Sequence, residues 1–395
     1  MGDVGGDNPR RARKLWMPTK IINSSDTNAY AAALGEVTAA LRAGALVLFP
    51  TETVYGVAAN ALHAEAMTRL RELKNADAAR PFTVHLGRRA DAGRYLISPS
   101  PVLRRLARKA WPGPLTLVGH EDRPEATEVG QQCGPSELAN IYHQQKVALR
   151  FPDHPVAQRL LGEAQVPVVA SSANARGLRP PTDFAAALRA MEGRVEFAID
   201  AARTRFNAAS TVVEVRGHEW AVQRPGALDE RTLRRLARSL VLMVCTGNSC
   251  RSPMAEHMFR QQLARQLQCT LAELPLAGYE VASAGTFAPP GGAASRGSLD
   301  EMARRGVDLG EHRSRPLTVE LIQQAERIYA MSPEHRTAVL AMVPGAAGRV
   351  ELLDPAGPVS DPIGGSPEEY RYCAAHIERA VAARLKEFLD EDRNW

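Results

Sequence analysis

Two α/β domains are the fold class that the sequence predicts. The chain has 395 residues, which is more than one ordinary hydrophobic core organises. Apolar strand-like runs alternate with helical patterns in two successive series, and this alternation is typical of helices layered on a largely parallel sheet. Hydrophobic residues make up 45% of the chain and charged residues 24%, as is usual for a globular protein.

The composition also limits where in the cell the protein is expected and what it is expected to bind. The five cysteines are odd in number and irregularly spaced, which argues for reduced thiols in a cytoplasm rather than for a disulfide framework. No apolar run approaches the roughly 20 residues of a membrane span, so we expect a cytoplasmic protein with no membrane partner. The net charge of +5 suits an anionic substrate such as ATP, phosphate or RNA without selecting among them.

The first series of elements predicts the amino-terminal domain. Its strand-like runs lie at 45–49, 82–86, 146–151, 166–171 and 210–215. Helical patterns separate these runs at 64–74, 101–110 and 154–164. The stretch 121–145 holds charges, prolines and pairs of glutamines, so we expect an irregular surface insertion there.

The second series predicts a carboxy-terminal domain with a smaller sheet. Its strand-like runs lie at 240–244, 279–284, 327–331 and 349–353. Helical patterns lie at 253–268, 296–306, 318–325 and 367–391. The segment near 226–240 reads as a helix with Asp229 as its N-cap, and the absence of a long Gly/Ser linker there predicts domains that lie close together. We expect a disordered basic arm over residues 1–18, followed by domains at 19–228 and 229–395.

Two cysteines, Cys245 and Cys250, share one short loop, and a disulfide, a metal site or a nucleophile would each explain the pair. An apolar strand ends just before Cys245, and Pro253 opens a helix. A polar loop between a strand and a helix start directs its N–H groups into one concavity, which binds a tetrahedral oxyanion. Arg251 adds a bidentate clamp for phosphate. The positive field predicts a lowered pKa for Cys245 and a thiolate nucleophile. We expect no metal here, because no tight pair of cysteines supplies ligands.

A thiolate phosphatase also needs a general acid for the leaving group. Asp361 lies in the glycine-rich stretch SDPIGGS and is the best candidate, since that loop can approach the phosphate. Asp354 is the alternative, although its position in LLDP favours a role in ending a strand.

The motifs CTGNSCRSPMAE, SAG (283–285), HRSRPLT (312–318) and the late DP loop together resemble the low-molecular-weight protein phosphatases. The resemblance covers about 240–391 and implies a doubly wound, four-stranded parallel sheet. It implies Cys245 as the nucleophile, Arg251 as the phosphate clamp and Asp361 as the acid, with no cofactor. It also implies a phosphate-binding loop made of Thr246, Gly247, Asn248, Ser249, Cys250 and Ser252. Within that loop Ser252 donates to the thiolate, Asn248 holds the shape, and Cys250 is the partner for a reversible protective disulfide.

The substrate implied by this resemblance is a phosphorylated protein. Tyrosine-directed members carry aromatic residues after the DP pair, whereas this chain has Ile363, Gly364 and Gly365. With the small hydroxyl of Ser249, this favours the protein-arginine phosphatase branch, in which threonine is usual at that position. We expect phosphoarginine to be preferred, with phosphotyrosine as the alternative.

The first domain carries basic and small hydroxyl residues at several strand ends, which suits a crevice for a polyphosphate and a small polar substrate. The motifs are PTETVYGVAANAL (50–62), WPGPLT (111–116), LRFPDHP (149–155), SSAN (171–174), STVV (210–213) and QRPG (223–226). As an ordered set they resemble the YrdC-like threonylcarbamoyl-AMP synthases over about 21–228, which implies a twisted α/β sheet.

This second resemblance implies a reaction in which threonine, bicarbonate and ATP, with magnesium, give threonylcarbamoyl-AMP and pyrophosphate. The product serves the modification of transfer RNA, so partners that modify transfer RNA are implied. The implied threonine-binding residues are Thr53, His85, Arg150 and Ser210. The implied ATP-binding residues are Lys74, Arg80, Ser172, Asn174 and Arg224.

The first domain departs from this family's pattern. Ala76 stands where an arginine is usual after Lys74, and two alanines replace the glycines that usually follow Asp200. Loss of one phosphate-binding donor costs roughly 2–4 kcal/mol of transition-state stabilisation. The alternative to two enzymes on one chain is therefore a weakly catalytic nucleotide- or RNA-binding module attached to a phosphatase.

Overall fold

The protein is described by a computed structural model that covers residues 18–75, 82–175 and 177–393. The predicted two-domain α/β class is confirmed. The basic arm expected over residues 1–18 lies outside the described residues, apart from residue 18. Among the described residues, none of the helices combines the length and apolar character needed to cross a bilayer.

A ten-stranded sheet organises the described part of the first domain. The strands are β1 (Lys20–Asn23), β2 (Val47–Phe49), β3 (Gly56–Asn60), β4 (Thr83–His85), β5 (Leu115–His120), β6 (Lys146–Arg150), β7 (Val168–Ser172), β8 (Phe197–Asp200), β9 (Thr211–Arg216) and β10 (Glu219–Arg224). Their order is β1-β8-β2-β3-β7-β4-β6-β5-β9-β10. The helices are α1 (Thr27–Arg42), α2 (Ala64–Lys74), α3 (Pro101–Ala110), α4 (Pro135–Ile141), α5 (Pro155–Ala164), α6 (Phe184–Met191) and α7 (Glu230–Ala237).

The expectation of a largely parallel sheet is wrong for this domain. The pairs β2–β3, β3–β7, β4–β7, β5–β6 and β9–β10 are antiparallel. Only residues 50–55 connect β2 to β3, and this is too short for the crossover helix that a parallel pair needs. Strand β3, with the sequence GVAAN, was missed because its glycine and alanines have low strand propensity, although the whole strand is buried.

The stretch 121–145 is not a surface insertion. It contains α4, and the side chains of Val129, Ile141 and Tyr142 are buried in the core of the first domain. The hydroxyl of Tyr142 donates to the carbonyl oxygen of Tyr95 at 2.7 Å. The apolar residues are interspersed with charges, so their contribution to the core was not visible in the composition.

The second domain has the expected four-stranded parallel sheet. Its strands are β11 (Ser239–Cys245), β12 (Tyr279–Gly285), β13 (Ala325–Ala330) and β14 (Val350–Leu352), in the order β12-β11-β13-β14. Its helices are α8 (Arg251–Leu267), α9 (Arg296–Arg304), α10 (Val319–Gln324), α11 (Pro333–Met342) and α12 (Pro367–Arg393).

Alternate side chains of β11 enter two separate cores. Val241, Met243 and Cys245 pack on the side of α8 and α12. Leu240, Leu242 and Val244 pack on the side of α10 and α11. This period of two places helices on both faces of the sheet, and it sets Cys245 at the strand end beneath α8.

Helix α7 joins the two domains. The carboxylate of Asp229 accepts from the backbone N–H of Thr232 at 2.7 Å, which confirms the predicted N-cap. Leu233 and Ala237 are buried in the core of the first domain. We propose that the domain limit therefore lies at Arg238 rather than at residue 228.

Candidate active sites

The loop 246–250 wraps around the sulfur of Cys245, at the carboxyl end of β11. This side chain is 2% exposed. Its Sγ lies 2.9 Å from Oγ of Ser252 and accepts from the backbone N–H of Asn248 at 3.3 Å. The side-chain amide of Asn248 donates to Oγ of Ser252 at 2.9 Å, which leaves the Ser252 hydrogen directed at the sulfur. The loop is thus built to stabilise negative charge on this atom.

The pKa of Cys245 contradicts the sequence-based expectation. Burial raises this pKa, while the hydrogen bonds from Ser252 and Asn248 and the charge of Arg251 act in the opposite direction. The Arg251 guanidinium is paired with the carboxylate of Asp361, and a paired charge creates less positive field at the thiol. Ionisation of Cys245 therefore depends on how Arg251 is engaged.

Asn248 holds the loop to two other segments. Its backbone is left-handed, with φ of 51°. Its carbonyl oxygen lies 2.8 Å from Nε2 of His312, and its Oδ1 accepts from the backbone N–H of Arg315 at 2.9 Å. Its amide also donates to Oγ of Ser283 at 2.7 Å, and that hydroxyl donates to Glu256 at 2.6 Å. The motifs SAG and HRSRPLT, which the sequence singled out without roles, thus support the loop.

Asp361 and Asp354 occupy different environments. Asp361 pairs with Nη2 of Arg251, whose Nη1 donates to the carbonyl oxygen of Val359 at 3.1 Å. Asp354 instead lies 2.6 Å from Nε2 of His376 and accepts from the N–H of Ala356. The structure brings Asp361 to the phosphate loop and leaves Asp354 holding the end of β14.

Cys250 lies on the same loop as Cys245, and both thiols are free. Its Sγ lies 3.2 Å from Oγ of Ser295 and 3.7 Å from the hydroxyl of Tyr370. The neighbouring Ser249 accepts a hydrogen bond at its carbonyl oxygen from Ser295. Tyr370 is therefore held beside the loop by polar contacts rather than open to a substrate ring.

Two residues beside the loop were missed in the sequence. His335, after β13, lies 2.8 Å through Nε2 from Oγ1 of Thr246 and 2.9 Å through Nδ1 from Oγ of Ser332. Phe287 donates its backbone N–H to the carbonyl oxygen of Thr246, while 85% of the residue is exposed. Neither residue belongs to a motif that was singled out, and only their folded positions relate them to the site.

A cavity of about 500 Å³ lies in the first domain and brings together most of the predicted binding residues. Its lining includes Lys74, His85, Arg150, Ser172, Ser210 and Arg224. Thr53 is fully buried behind this lining and accepts from Nη2 of Arg150 at 2.5 Å. Arg80 lies outside the described residues.

Lys74 carries its charge into this cavity from the end of α2. Its Nζ donates to the carbonyl oxygens of Ser172 at 2.7 Å and Asn174 at 2.6 Å. Desolvation lowers the pKa of Lys74 to about 8. The predicted ATP-binding residues Ser172 and Asn174 thus hold the ammonium that would meet a phosphate.

Arg150 and His85 form the opposite side of the cavity. Arg150 pairs with the buried carboxylate of Glu52 at 3.0 Å, which keeps the guanidinium in place. Desolvation and the charge of Arg150 lower the pKa of His85 to about 3, so the imidazole is neutral. Since Nδ1 of His85 lies 3.0 Å from the carbonyl oxygen of Thr83, it carries the proton, and Nε2 is an acceptor.

The hydroxyl of Ser210 completes the cavity. It lies 2.9 Å from the hydroxyl of Thr116 on β5, and Nη2 of Arg224 donates to the Ser210 carbonyl oxygen at 2.8 Å. Within the described ranges, no cluster of three His, Cys, Asp or Glu side chains has an arrangement that holds a metal ion.

Comparison with known proteins agrees with the division of the chain into two domains. A family model described as "Telomere recombination", for Sua5, YciO and YrdC, matches residues 39–226. A model of the low molecular weight phosphotyrosine protein phosphatases matches residues 240–394. A Mycobacterium tuberculosis relative of the synthases is 32% identical over 53% of this chain and 90% of its own length. The protein-arginine-phosphatase of Bacillus subtilis is 33% identical over 39% of this chain and 98% of its own length.

The chain belongs to both families, one in each half.

The synthase half also matches longer relatives. It is 32% identical to the threonylcarbamoyl-AMP synthase of Bacillus subtilis over 51% of this chain and 55% of that protein. For the synthase of Pyrococcus abyssi the identity is 34%, over 48% of this chain and 52% of that protein. The chain thus spans about half the length of these two relatives.

Proposed function

We propose that the phosphatase domain removes phosphate from proteins through a cysteinyl-phosphate. The observation that carries this proposal is the sulfur of Cys245 at the floor of the loop, facing donors from Ser252 and Asn248. Its Sγ attacks phosphorus, and the bond to the leaving group breaks as Asp361 donates a proton to that group. Water then attacks the phosphorus atom and gives its proton to Asp361, while the S–P bond breaks to release phosphate and return the Cys245 thiolate.

We propose phosphoarginine as the substrate. Ser249 is small and polar, and the DP loop continues with Ile363 rather than an aromatic residue. The protein-arginine-phosphatase of Bacillus subtilis is a relative over nearly its full length. A P–N bond also gains much from protonation of its leaving nitrogen, which Asp361 can supply.

Phosphotyrosine is the second candidate, and one observation favours it. Phe287 is bonded through its backbone N–H to Thr246 of the loop and is 85% exposed, so its ring is available to stack on a substrate ring. Peptides that carry phosphoarginine or phosphotyrosine in the same flanking sequence separate the two candidates by kcat/KM.

We propose that the synthase domain makes threonylcarbamoyl-AMP. The cavity is lined by the cations Lys74 and Arg150 and by the hydroxyl of Ser210, which suits a nucleotide and an amino acid held side by side. The amine of threonine and bicarbonate form a carbamate with loss of water. A carbamate oxygen then attacks the α-phosphorus of ATP, and pyrophosphate leaves. Magnesium would enter with the ATP phosphates, and a partner that modifies transfer RNA would consume the product.

Two assays test these proposals on the full chain. Phosphate release from phosphopeptides should be lost in Cys245→Ser, while pyrophosphate release should be unchanged in that variant. Pyrophosphate release should require both threonine and bicarbonate. ATP binding without threonine-dependent pyrophosphate release would instead support the binding-module alternative. Near-normal phosphatase turnover by Cys245→Ser would refute the cysteinyl-phosphate.

A further inference from the structure

Helix α3 of the synthase domain presents a buried arginine to the phosphatase domain. Arg105 is 0% exposed. Its Nη1 donates to the carbonyl oxygens of Ala237 at 2.7 Å and Gly278 at 3.2 Å, and its guanidinium lies 4.3 Å from the ring centroid of Tyr279. A fully buried arginine is rare unless its charge is compensated. Here the compensation comes from Ala237 at the end of the first domain and from Gly278 and Tyr279 of the second domain.

Gly278 is adapted to this contact. Its φ of 79° is left-handed, and a Cβ at this position would lie 2.6 Å from Nη1 of Arg105 and 2.7 Å from the carbonyl oxygen of Ala237. Any side chain at this position would therefore collide with the interface as well as strain the backbone.

A carboxylate of the phosphatase domain meets two further cations of α3. Glu326, near the start of β13, pairs with Arg108 and with Nζ of Lys109 at 3.0 Å, and accepts from Oγ of Ser239 at 2.5 Å. Burial raises the pKa of Glu326, but the charges of Lys109 and Arg108 outweigh burial and lower it. Lys109 also donates to the carbonyl oxygen of Arg238 at 2.6 Å.

The contact leaves the phosphatase loop open. Ser239, Tyr279 and Glu326 lie at the amino ends of β11, β12 and β13, whereas Cys245 lies at the carboxyl end of β11. Parallel strands place these two sets of residues at opposite edges of the sheet. The only residue between α7 and β11 is Arg238, so the covalent connection is also short.

We infer that the basic face of α3 is a permanent docking surface for the phosphatase domain, and that the two domains unfold as one cooperative unit. Separation of the domains would leave the Glu326 carboxylate without its two cations, and would expose the Tyr279 ring. Separation would also remove Gly278 and Tyr279 from around the Arg105 guanidinium. The contact therefore persists in the folded chain, unlike the loose association of domains joined by a flexible linker.

Each domain has one probe that reports its unfolding in the full chain. Trp111 is buried in the synthase domain, and its fluorescence can be isolated by replacing the other tryptophans with phenylalanine. Cys373 is buried in the phosphatase domain, so its pulsed labelling by a thiol reagent, read by mass spectrometry, reports the second domain. Neither probe depends on catalytic activity.

We expect both probes to give one midpoint in thermal unfolding of the unmodified chain. Arg105→Ala should part the two midpoints, with Cys373 labelled at a temperature several degrees below the Trp111 transition. Glu326→Gln keeps Arg105 in place and should lower the common midpoint. It tests the same inference if Arg105→Ala does not fold. Glu36→Gln is the matched control, because its ion pair with Lys20 is exposed within the synthase domain; it should change neither midpoint. Separate midpoints in the unmodified chain, or variants at Arg105 and Glu326 that behave like the control, would overturn the inference.

Discussion

Replacement of Asp361 by asparagine tests the general acid and the state of the nucleophile together. The side chain keeps its shape but loses the proton that it would give to the leaving group. Loss of a general acid slows turnover by roughly 100- to 10,000-fold, which corresponds to about 2.8–5.6 kcal/mol at ~1.4 kcal/mol for each factor of ten. Arg251 should stay in place, because Nη1 also donates to the carbonyl oxygen of Val359. We therefore expect the loss in kcat rather than in KM.

The same substitution should ionise Cys245 more easily. The Asp361 carboxylate pairs with Arg251 in the structure, and its removal frees the positive charge to act on the thiol. A newly unpaired positive charge nearby favours the thiolate and lowers the pKa of the Cys245 thiol. The rate of alkylation by iodoacetamide, measured against pH, should shift to lower pH in Asp361→Asn even as turnover falls.

The assay compares two substrates and one control variant. A phosphoarginine peptide needs protonation of its leaving nitrogen and should show the full loss, whereas p-nitrophenyl phosphate has a good leaving group and should show a much smaller loss. Asp354→Asn is the matched control, because that carboxylate bonds to His376 away from the loop. The assignment of the acid is refuted if Asp354→Asn is the damaging change, or if Asp361→Asn slows both substrates equally.

Three further outcomes are expected. Mild peroxide should oxidise Cys245 to a sulfenic acid, which Cys250 converts to a disulfide with loss of water, and dithiothreitol should then restore activity. If mass spectrometry finds overoxidised Cys245 beside free Cys250, this prediction is wrong. Ser249→Ile should shift the ratio of kcat/KM values toward phosphotyrosine by ~10-fold, since a branched apolar wall crowds a guanidinium; an unchanged ratio would remove Ser249 from the specificity argument. Because the Lys74 ammonium loses its proton as pH rises through about 8, the Kd for ATP should rise about tenfold between pH 7 and pH 9, and Lys74→Arg should flatten this rise in calorimetric titrations.

The phosphate loop was predictable because it is local. Strand, polar turn and helix start follow each other in eleven consecutive letters, VCTGNSCRSPM, and the backbone of such a segment determines its own anion-binding shape. The pKa of Cys245 was not predictable, because it depends on burial and on Asp361, more than a hundred residues away. Sequence order alone does not show which carboxylate will meet Arg251.

The cavity of the synthase domain was also predictable in its residues but not in their arrangement. Its cations and hydroxyls were recognised as an ordered set, but the mixed order of the sheet was not, since antiparallel partners such as β4 and β7 are far apart in the chain. Thr53 belongs to the predicted set, yet it lies behind Arg150 rather than on the cavity wall. The residues of a site can be recognised from local motifs, whereas the layer each occupies is set by tertiary pairing.

The left-handed Asn248 has a consequence for how the chain refolds. Its bonds reach Ser283 on β12 and residues His312 and Arg315 beyond α9, so the loop cannot close until those later segments have docked. A nascent chain that ends before residue 312 would contain Cys245 and Arg251 but no assembled phosphate site. Recovery of phosphatase turnover after dilution from denaturant would thus require that β12 and the segment 312–315 have docked against the loop.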